Sequence, residues 1–192
     1  MILVKPCRKE EFIETLENSP KEGNGFAKTF KAKANARNLW DSCMGAYSPE
    51  NLLLGAICVT ISKREPKVAN IQLLHTFSQH RRRGVGKALV EWAFREVFRK
   101  AEYIRVSSEI DAKPFYEKCG FYFWGTQKSG CYLSIAKLEG ESNLRFDLED
   151  SIIKKALVGN RRGTLFGEDR EEILNGKKGN IQKVVRLGFD LR

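Results

Sequence analysis

The sequence predicts an α/β fold, and three observations predict it. Two dense apolar runs of strand length, residues 52–61 and 68–77, stand either side of a short polar turn. A helical stripe then follows a glycine pair, with Leu89, Val90, Trp92, Ala93, Phe94, Val97 and Phe98 recurring at the spacing of one helix face. Beyond it the chain alternates again, so that strand, helix, strand, helix, strand and strand come in order, as in an α/β layer structure.

In chain order, residues 2–4 read as a short first strand. Residues 9–17 read as a helix with Phe12, Ile13 and Leu16 on one side. Pro20, Gly23 and Gly25 mark a loop, and a second helix is expected from about Lys31 to Cys43. The run Leu52 to Ile61 is apolar at nearly every position and partly β-branched, which suits a strand buried on both faces; with residues 68–77 it forms a hairpin. Residues 103–107 form the next strand. Asp111 is placed to cap a short helix that tolerates Pro114 in its first turn, where the missing N–H has no intrahelical partner in any case, and Gly120 ends it. Two last strands, 121–125 and 131–138, are joined by residues 126–130. Residues 139–192 are polar and broken by seven glycines, so the expected organisation is a domain over 1–138 and a C-terminal extension over 139–192.

A chain of 192 residues with 42% hydrophobic content suffices for one sizeable core. No apolar stretch approaches the roughly 18 residues that a membrane-spanning helix needs. The first residues lack the layout of a signal peptide, so a cytoplasmic location and no membrane partner are expected. Cys7, Cys43, Cys58, Cys119 and Cys131 are widely spaced with no C-x-x-C pair, which suggests neither a disulfide framework nor a metal site but buried, inert thiols. The formal net charge is +10. Residues 141–192 hold 11 Lys and Arg against 9 Asp and Glu, a net of +2, so +8 lies in residues 1–140. Such a surface attracts polyanions, whether coenzyme phosphates, acidic proteins or nucleic acid.

The chemistry concentrates at Arg81-Arg82-Arg83-Gly84-Val85-Gly86, between a strand and a helix. The first amides of a helix lack partners and its dipole is positive there, so this is a place for an anion. Gly84 and Gly86 allow close backbone approach, and His80, Arg81, Arg82, Arg83 and Lys87 add up to five basic groups. That suits a coenzyme with a pyrophosphate and a 3'-phosphate. The other reading is a tight turn with solvated arginines. A Rossmann site is disfavoured, because the glycine fingerprint is incomplete and no train of β-α-β units surrounds it.

These residues resemble a known family. Arg81 to Gly86 is similar to the [Q/R]-x-x-G-x-[G/A] motif of the GNAT (Gcn5-related N-acetyltransferase) superfamily. Glu109-Ile110-Asp111-Ala112-Lys113-Pro114-Phe115-Tyr116-Glu117-Lys118-Cys119-Gly120-Phe121 is similar to its second signature, N-x-x-A-x-x-F-Y-x-x-x-G-F. The resemblance spans roughly residues 51–138. It implies a mixed, mostly antiparallel sheet flanked by helices and splayed after the strand 68–77. It also implies acetyl-CoA as the coenzyme, with pantetheine bonded to backbone near Leu74, His75 and Thr76. The pyrophosphate would lie on amides of Arg82, Arg83, Gly84, Val85 and Gly86, beside Arg81, with Lys87 nearby. The tyrosine matched by Tyr116 protonates the leaving thiolate; a core aromatic packed with Phe115 and Phe121 is the other reading. The family's usual base positions fall on Asn70 and Gln72, whose amides are not bases, which leaves Glu109, His75 or water.

The implied reaction is direct acyl transfer to an amine without an acyl-enzyme, resting on proximity and an amide that stabilises the oxyanion. Cys119 at a helix end reads as packing. The acceptor is a small amine or a protein amine, or alternatively a nucleic-acid base. The basic segment 21–37, with Phe26 and Phe30 inside it and Trp40 just after, and the pairs Arg161-Arg162 and Lys177-Lys178 support the last. A non-catalytic CoA- or DNA-binding module is the reading from another class.

Overall fold

The computed structural model describes residues 1–19, 42–61, 68–98, 100–126 and 132–138. The basic segment 21–37, nearly all of the helix expected over 31–43 and the whole extension 139–192 lie outside the described residues.

The described chain forms two compact units. The first contains Met1–Thr60 and Ile71–Glu96. Its strands are β1 (Leu3–Pro6), β2 (Cys43–Tyr47), β3 (Leu53–Ile61) and most of β4 (Val68–Thr76), in that spatial order. β1 runs antiparallel to β2, with Leu3 opposite Tyr47, and β2 runs antiparallel to β3, with Cys43 opposite Cys58. α1 (Lys9–Glu17) joins β1 to the segment before β2, a 3-10 turn (Ser78–His80) follows β4, and α2 (Val85–Val97) begins after the glycine loop.

Hydrophobic period accounts for these elements. Seven of the nine residues of β3 are buried in an unbroken run, as a strand covered on both faces requires. α1 alternates instead: Phe12 and Leu16 are buried while Glu10, Glu14 and Glu17 are exposed. Phe12 and Leu16 enter one cluster with Tyr47, Leu53, Ala56, Leu73 and Phe77. Deleting a buried aromatic of this kind costs about 3–5 kcal/mol, so Phe12 ranks among the main anchors of α1. The Tyr47 hydroxyl donates to Glu11 Oε2 at 3.0 Å and ties the helix to β2. Cys7, Cys43 and Cys58 are buried, free thiols in the same cluster. Hydrogen bonding to Cys43 and then burial push the Cys7 thiol well above its ordinary range, and hydrogen bonding to Cys58 does the same for Cys43. Cys7 and Cys43 therefore stay protonated and inert, as expected from sequence.

The second unit contains Ile61–Asn70 and the described residues from Val97 on. β4, whose first residues belong to this unit, neighbours β5 (Tyr103–Ser108), followed in space by β7 (Tyr132–Lys137) and β6 (Tyr122–Thr126). β5 pairs antiparallel with β7, and β7 with β6. A 3-10 turn (Ile110–Ala112) leads into α3 (Lys113–Lys118).

Two expectations change. Cys43 opens strand β2 rather than closing a helix, because Ala46 and Tyr47 bury against β3 and α1. Asp111 lies inside the 3-10 turn and does not cap α3; Ala112 holds the cap position without a side-chain bond, and Pro114 occupies the first turn. Gly120 ends the helix as read, with φ +86°, a left-handed conformation that glycine takes without the Cβ clash.

Candidate active site

The first unit brings together the end of β4 and the loop leading to α2. Phe77 N donates to Leu54 O at 3.1 Å, the last tie of β4 to β3, and His80 N donates back to Phe77 O at 2.8 Å to close the 3-10 turn. The chain then turns through two left-handed residues, Arg82 at φ +61° and Gly84 at φ +80°. For glycine this conformation carries little cost. For arginine it costs on the order of 1 kcal/mol or more, and strain of this sort is kept where a backbone must present its amides in a set direction.

Gly84 is the cap of α2. Its carbonyl accepts the Ala88 amide at 2.9 Å, so the amides of Val85, Gly86 and Lys87 precede the first intrahelical bond. A Cβ on Gly84 would meet no atom within 4 Å, so glycine is required there by conformation and the space beside it is open. The structure thereby meets the physical requirements of a phosphate cradle: partnerless amides at the start of a 13-residue helix, open space, and exposed cations around it. Arg81, Arg82, Arg83 and Lys87 are all exposed. Arg81 Nε donates to the Thr76 carbonyl at 3.2 Å, which directs that guanidinium from the end of β4. Lys87 makes an exposed i,i+4 pair with Glu91 at 3.6 Å, worth little in energy.

His80 is the exception among the five basic groups expected. It is buried behind the loop, and burial first, then Arg83, lower its pKa below the ordinary imidazole value. It is neutral at pH 7, so four cations surround the loop. Beside the loop a cleft of about 320 Å³ is lined by Leu52, Leu54, Val85, Glu50, His80 and Arg83. The Ser48 hydrogen bond holds the Glu50 carboxyl below its usual range, so this cleft presents an anion and is unsuited to a phosphate.

Leu74 and Thr76 are half-buried on β4, and His75 between them is buried. The His75 ring meets Phe12 at 5.9 Å and Phe77 at 5.1 Å, both edge to face. Its imidazole thus sits in the aromatic core, while its backbone belongs to the strand edge that the resemblance assigns to pantetheine. Asn70 and Gln72 are both engaged: Asn70 Oδ1 accepts from Arg105 Nε, and Gln72 Nε2 donates to Thr60 Oγ1 at 2.9 Å.

Glu109 and Tyr116 lie in the second unit. Glu109 is exposed just after β5, and its carbonyl accepts the Ala112 amide that shapes the 3-10 turn. Tyr116 is buried on α3 with its ring edge to face with Phe115 at 5.1 Å and Phe121 at 5.4 Å. The Tyr116 carbonyl also receives the amides of Cys119 and Phe121, so the F-Y-x-x-x-G-F spacing closes a helix end on itself. Burial, and next the Cys119 charge, push the phenol above its ordinary value, so it stays neutral across the working range. Sequence reading gave no sign of the left-handed Arg82, because arginine has no preference for that region; only the traced backbone reveals it.

Residues 41–122 match the family described as the acetyltransferase (GNAT) domain. Among solved structures, the chain is similar to the PaiA N-acetyltransferase of Thermoplasma acidophilum in complex with coenzyme A. The identity is 17% and the TM-score 0.58, over 71% of this chain and 99% of that one. It is similar to the ribosomal-protein-S18-alanine N-acetyltransferase of Escherichia coli at 14% identity and TM-score 0.53, over 74% and 97%. A spermidine N-acetyltransferase SpeG chimera from Vibrio cholerae and hSSAT gives 13% and 0.56, over 71% and 95%. No curated protein sequence matches. At these identities the neighbours show a shared fold, and the family match covers the motif-bearing stretch. Over residues 41–122 the chain thus matches the acetyltransferase (GNAT) domain, and its fold is the one that these N-acetyltransferases share.

Proposed function

We propose that the protein transfers acetyl from acetyl-CoA to an amine by direct attack. The observation that carries this reading is the loop geometry: left-handed Arg82 and Gly84 turn the chain into a helix whose first amides have no intrahelical partner, with four exposed cations around them. The amides of Val85, Gly86 and Lys87 hold the pyrophosphate, Arg81, Arg82 and Arg83 neutralise phosphate charge, and the backbone of Leu74, His75 and Thr76 receives pantetheine. The coenzyme supplies an activated thioester. The chain's part is to bind it, orient it and manage protons.

Tyr116 keeps its proton at Oη because burial holds the phenol neutral, which suits a donor to a departing thiolate. With Asn70 and Gln72 engaged as hydrogen-bond partners, the base role falls to Glu109, His75 or water. Glu109 is exposed, and His75 is walled by Phe12 and Phe77, so Glu109 is the better placed of the two to exchange a proton with solvent. No cysteine is needed as an acyl carrier.

Relatives of this fold include enzymes named for a ribosomal protein's alanine and for spermidine. A domain with a strong basic excess repels a polycation such as spermidine and attracts acceptors that carry negative charge, so an amine on an acidic protein or peptide is the acceptor class favoured here. The test is mass spectrometry of acidic peptides, polyamines and polynucleotides after incubation with acetyl-CoA. The expected result is one added acetyl group on peptide amines, and an acetylated polynucleotide with unmodified peptides would replace this reading by the nucleic-acid one.

A further inference from the structure

Gly55 lies inside β3, where its neighbours are apolar and mostly large, and a glycine in such a strand marks a close approach of backbone. The approach is visible. A Cβ on Gly55 would stand 2.5 Å from the His75 carbonyl oxygen, 3.1 Å from Thr76 Cα and 3.2 Å from Val85 Cγ1. Two of those atoms are backbone, which does not swing aside as a side-chain end does. The three residues touched are the last two of β4 and the first of α2, the two segments that flank the phosphate loop. Thr76 in turn offers its carbonyl to Arg81 Nε, and Leu54, next to Gly55, holds the amide of Phe77.

We infer that Gly55 is a positioning residue for coenzyme binding: its bare backbone is the seat on which His75, Thr76 and Val85 rest, and so it sets the place of Arg81 and of the first α2 amides. The inference rests on the reading of this loop as the coenzyme's seat. An added methyl displaces the end of β4 and the start of α2 together, without touching a phosphate-binding group directly.

Gly45 supplies the matched control. A Cβ there would also be too close, at 2.6 Å from Tyr47 Cε2 and 2.7 Å from Leu53 Cδ1, but these are side-chain atoms of the β2–β3 core and none belongs to the loop or its flanks. Calorimetric titration with coenzyme A, alongside thermal unfolding, should be run on Gly55→Ala, Gly45→Ala, Val85→Ala and Gly84→Val. Val85→Ala keeps the backbone amide and removes only the methyl groups resting on Gly55, so it probes the same seat should Gly55→Ala fail to fold. Both glycine-to-alanine variants are expected to melt lower. Gly55→Ala is expected to raise the Kd about tenfold and Val85→Ala about threefold, with Gly45→Ala within about twofold of wild type. If folded Gly55→Ala, or Val85→Ala where the former does not fold, binds coenzyme A as wild type while Gly84→Val binds weakly, the seat is refuted and the loop stands. Equal losses in Gly55→Ala and Gly45→Ala refute it too. Unchanged affinity in folded Gly84→Val overturns the loop reading itself.

Discussion

At the scale of single residues, environment decides what a side chain can do, and Tyr116 illustrates it. The role proposed for it is that of a proton donor, and its surroundings, Phe115 and Phe121 at edge-to-face distances, are those of a core aromatic. The two readings meet in one consequence: burial raises the phenol pKa, so the neutral form, the one able to donate, persists beyond the ordinary value of about 10. Tyr116→Phe is expected to lower turnover by about 10²-fold, within the range of general-acid effects, and to leave coenzyme affinity unchanged. Because the shift is upward, no basic limb below pH 10 should trace to this group. A limb there that vanishes in the Phe variant would keep the proton-donor role and show that the phenol titrates lower than its burial implies. The base is separable by the same measurement: Glu109→Gln should abolish the acidic limb if the carboxylate accepts the proton, and His75→Gln should not.

At the scale of elements, the glycine loop and α2 form one device. Gly84 is needed for its φ of +80° and not for space, since a Cβ there meets nothing within 4 Å. The order of tolerance follows from conformation alone. Gly84→Asn, with a residue that enters the left-handed region more readily, should bind coenzyme A more tightly than Gly84→Ala, and Gly84→Val more weakly still. Valine should cost about tenfold or more in Kd. A size-driven series, with Asn worse than Ala, would show that space and not φ governs the loop. His80 belongs to this element too, but as a buried neutral ring behind it, so coenzyme affinity should show no step near pH 6.5 from that residue.

At the scale of the whole molecule, the acceptor is proposed to depend on charge and on the C-terminal segment. Residues 141–192 carry only +2 of the net +10, so the net charge comes chiefly from the first 140 residues. Deletion after Leu138 is expected to leave coenzyme A binding measurable and to abolish acceptor modification. Loss of coenzyme binding in the truncated protein would place residues 139–192 in the core. If the acceptor is a polynucleotide, its binding by the intact protein should weaken steeply with salt, with a log–log slope of several units; a flat response favours the peptide amine.

Period and motif in the sequence were enough for much of this. The double-sided burial of β3, the stripe of α2, the short α3 with Pro114 near its start and Gly120 at its end, and the strand-loop-helix order around Arg81 to Gly86 are local patterns that each segment carries within itself. β2 was missed because Cys43-Met44-Gly45-Ala46-Tyr47 has no strong pattern of its own. It becomes a strand by pairing with β1 and β3 and burying Tyr47 against α1. Likewise the neutrality of His80, the aromatic walls around His75 and the engagement of Asn70 by Arg105 depend on residues distant in the chain. Gly55 lies between the two cases: a glycine in an apolar strand is visible in one dimension, but the carbonyl 2.5 Å from its missing Cβ belongs to His75, twenty positions on. Local propensity is written residue by residue, whereas desolvation, close approach and hydrogen-bond partners exist only once the strands are side by side, and those are what tertiary structure decided.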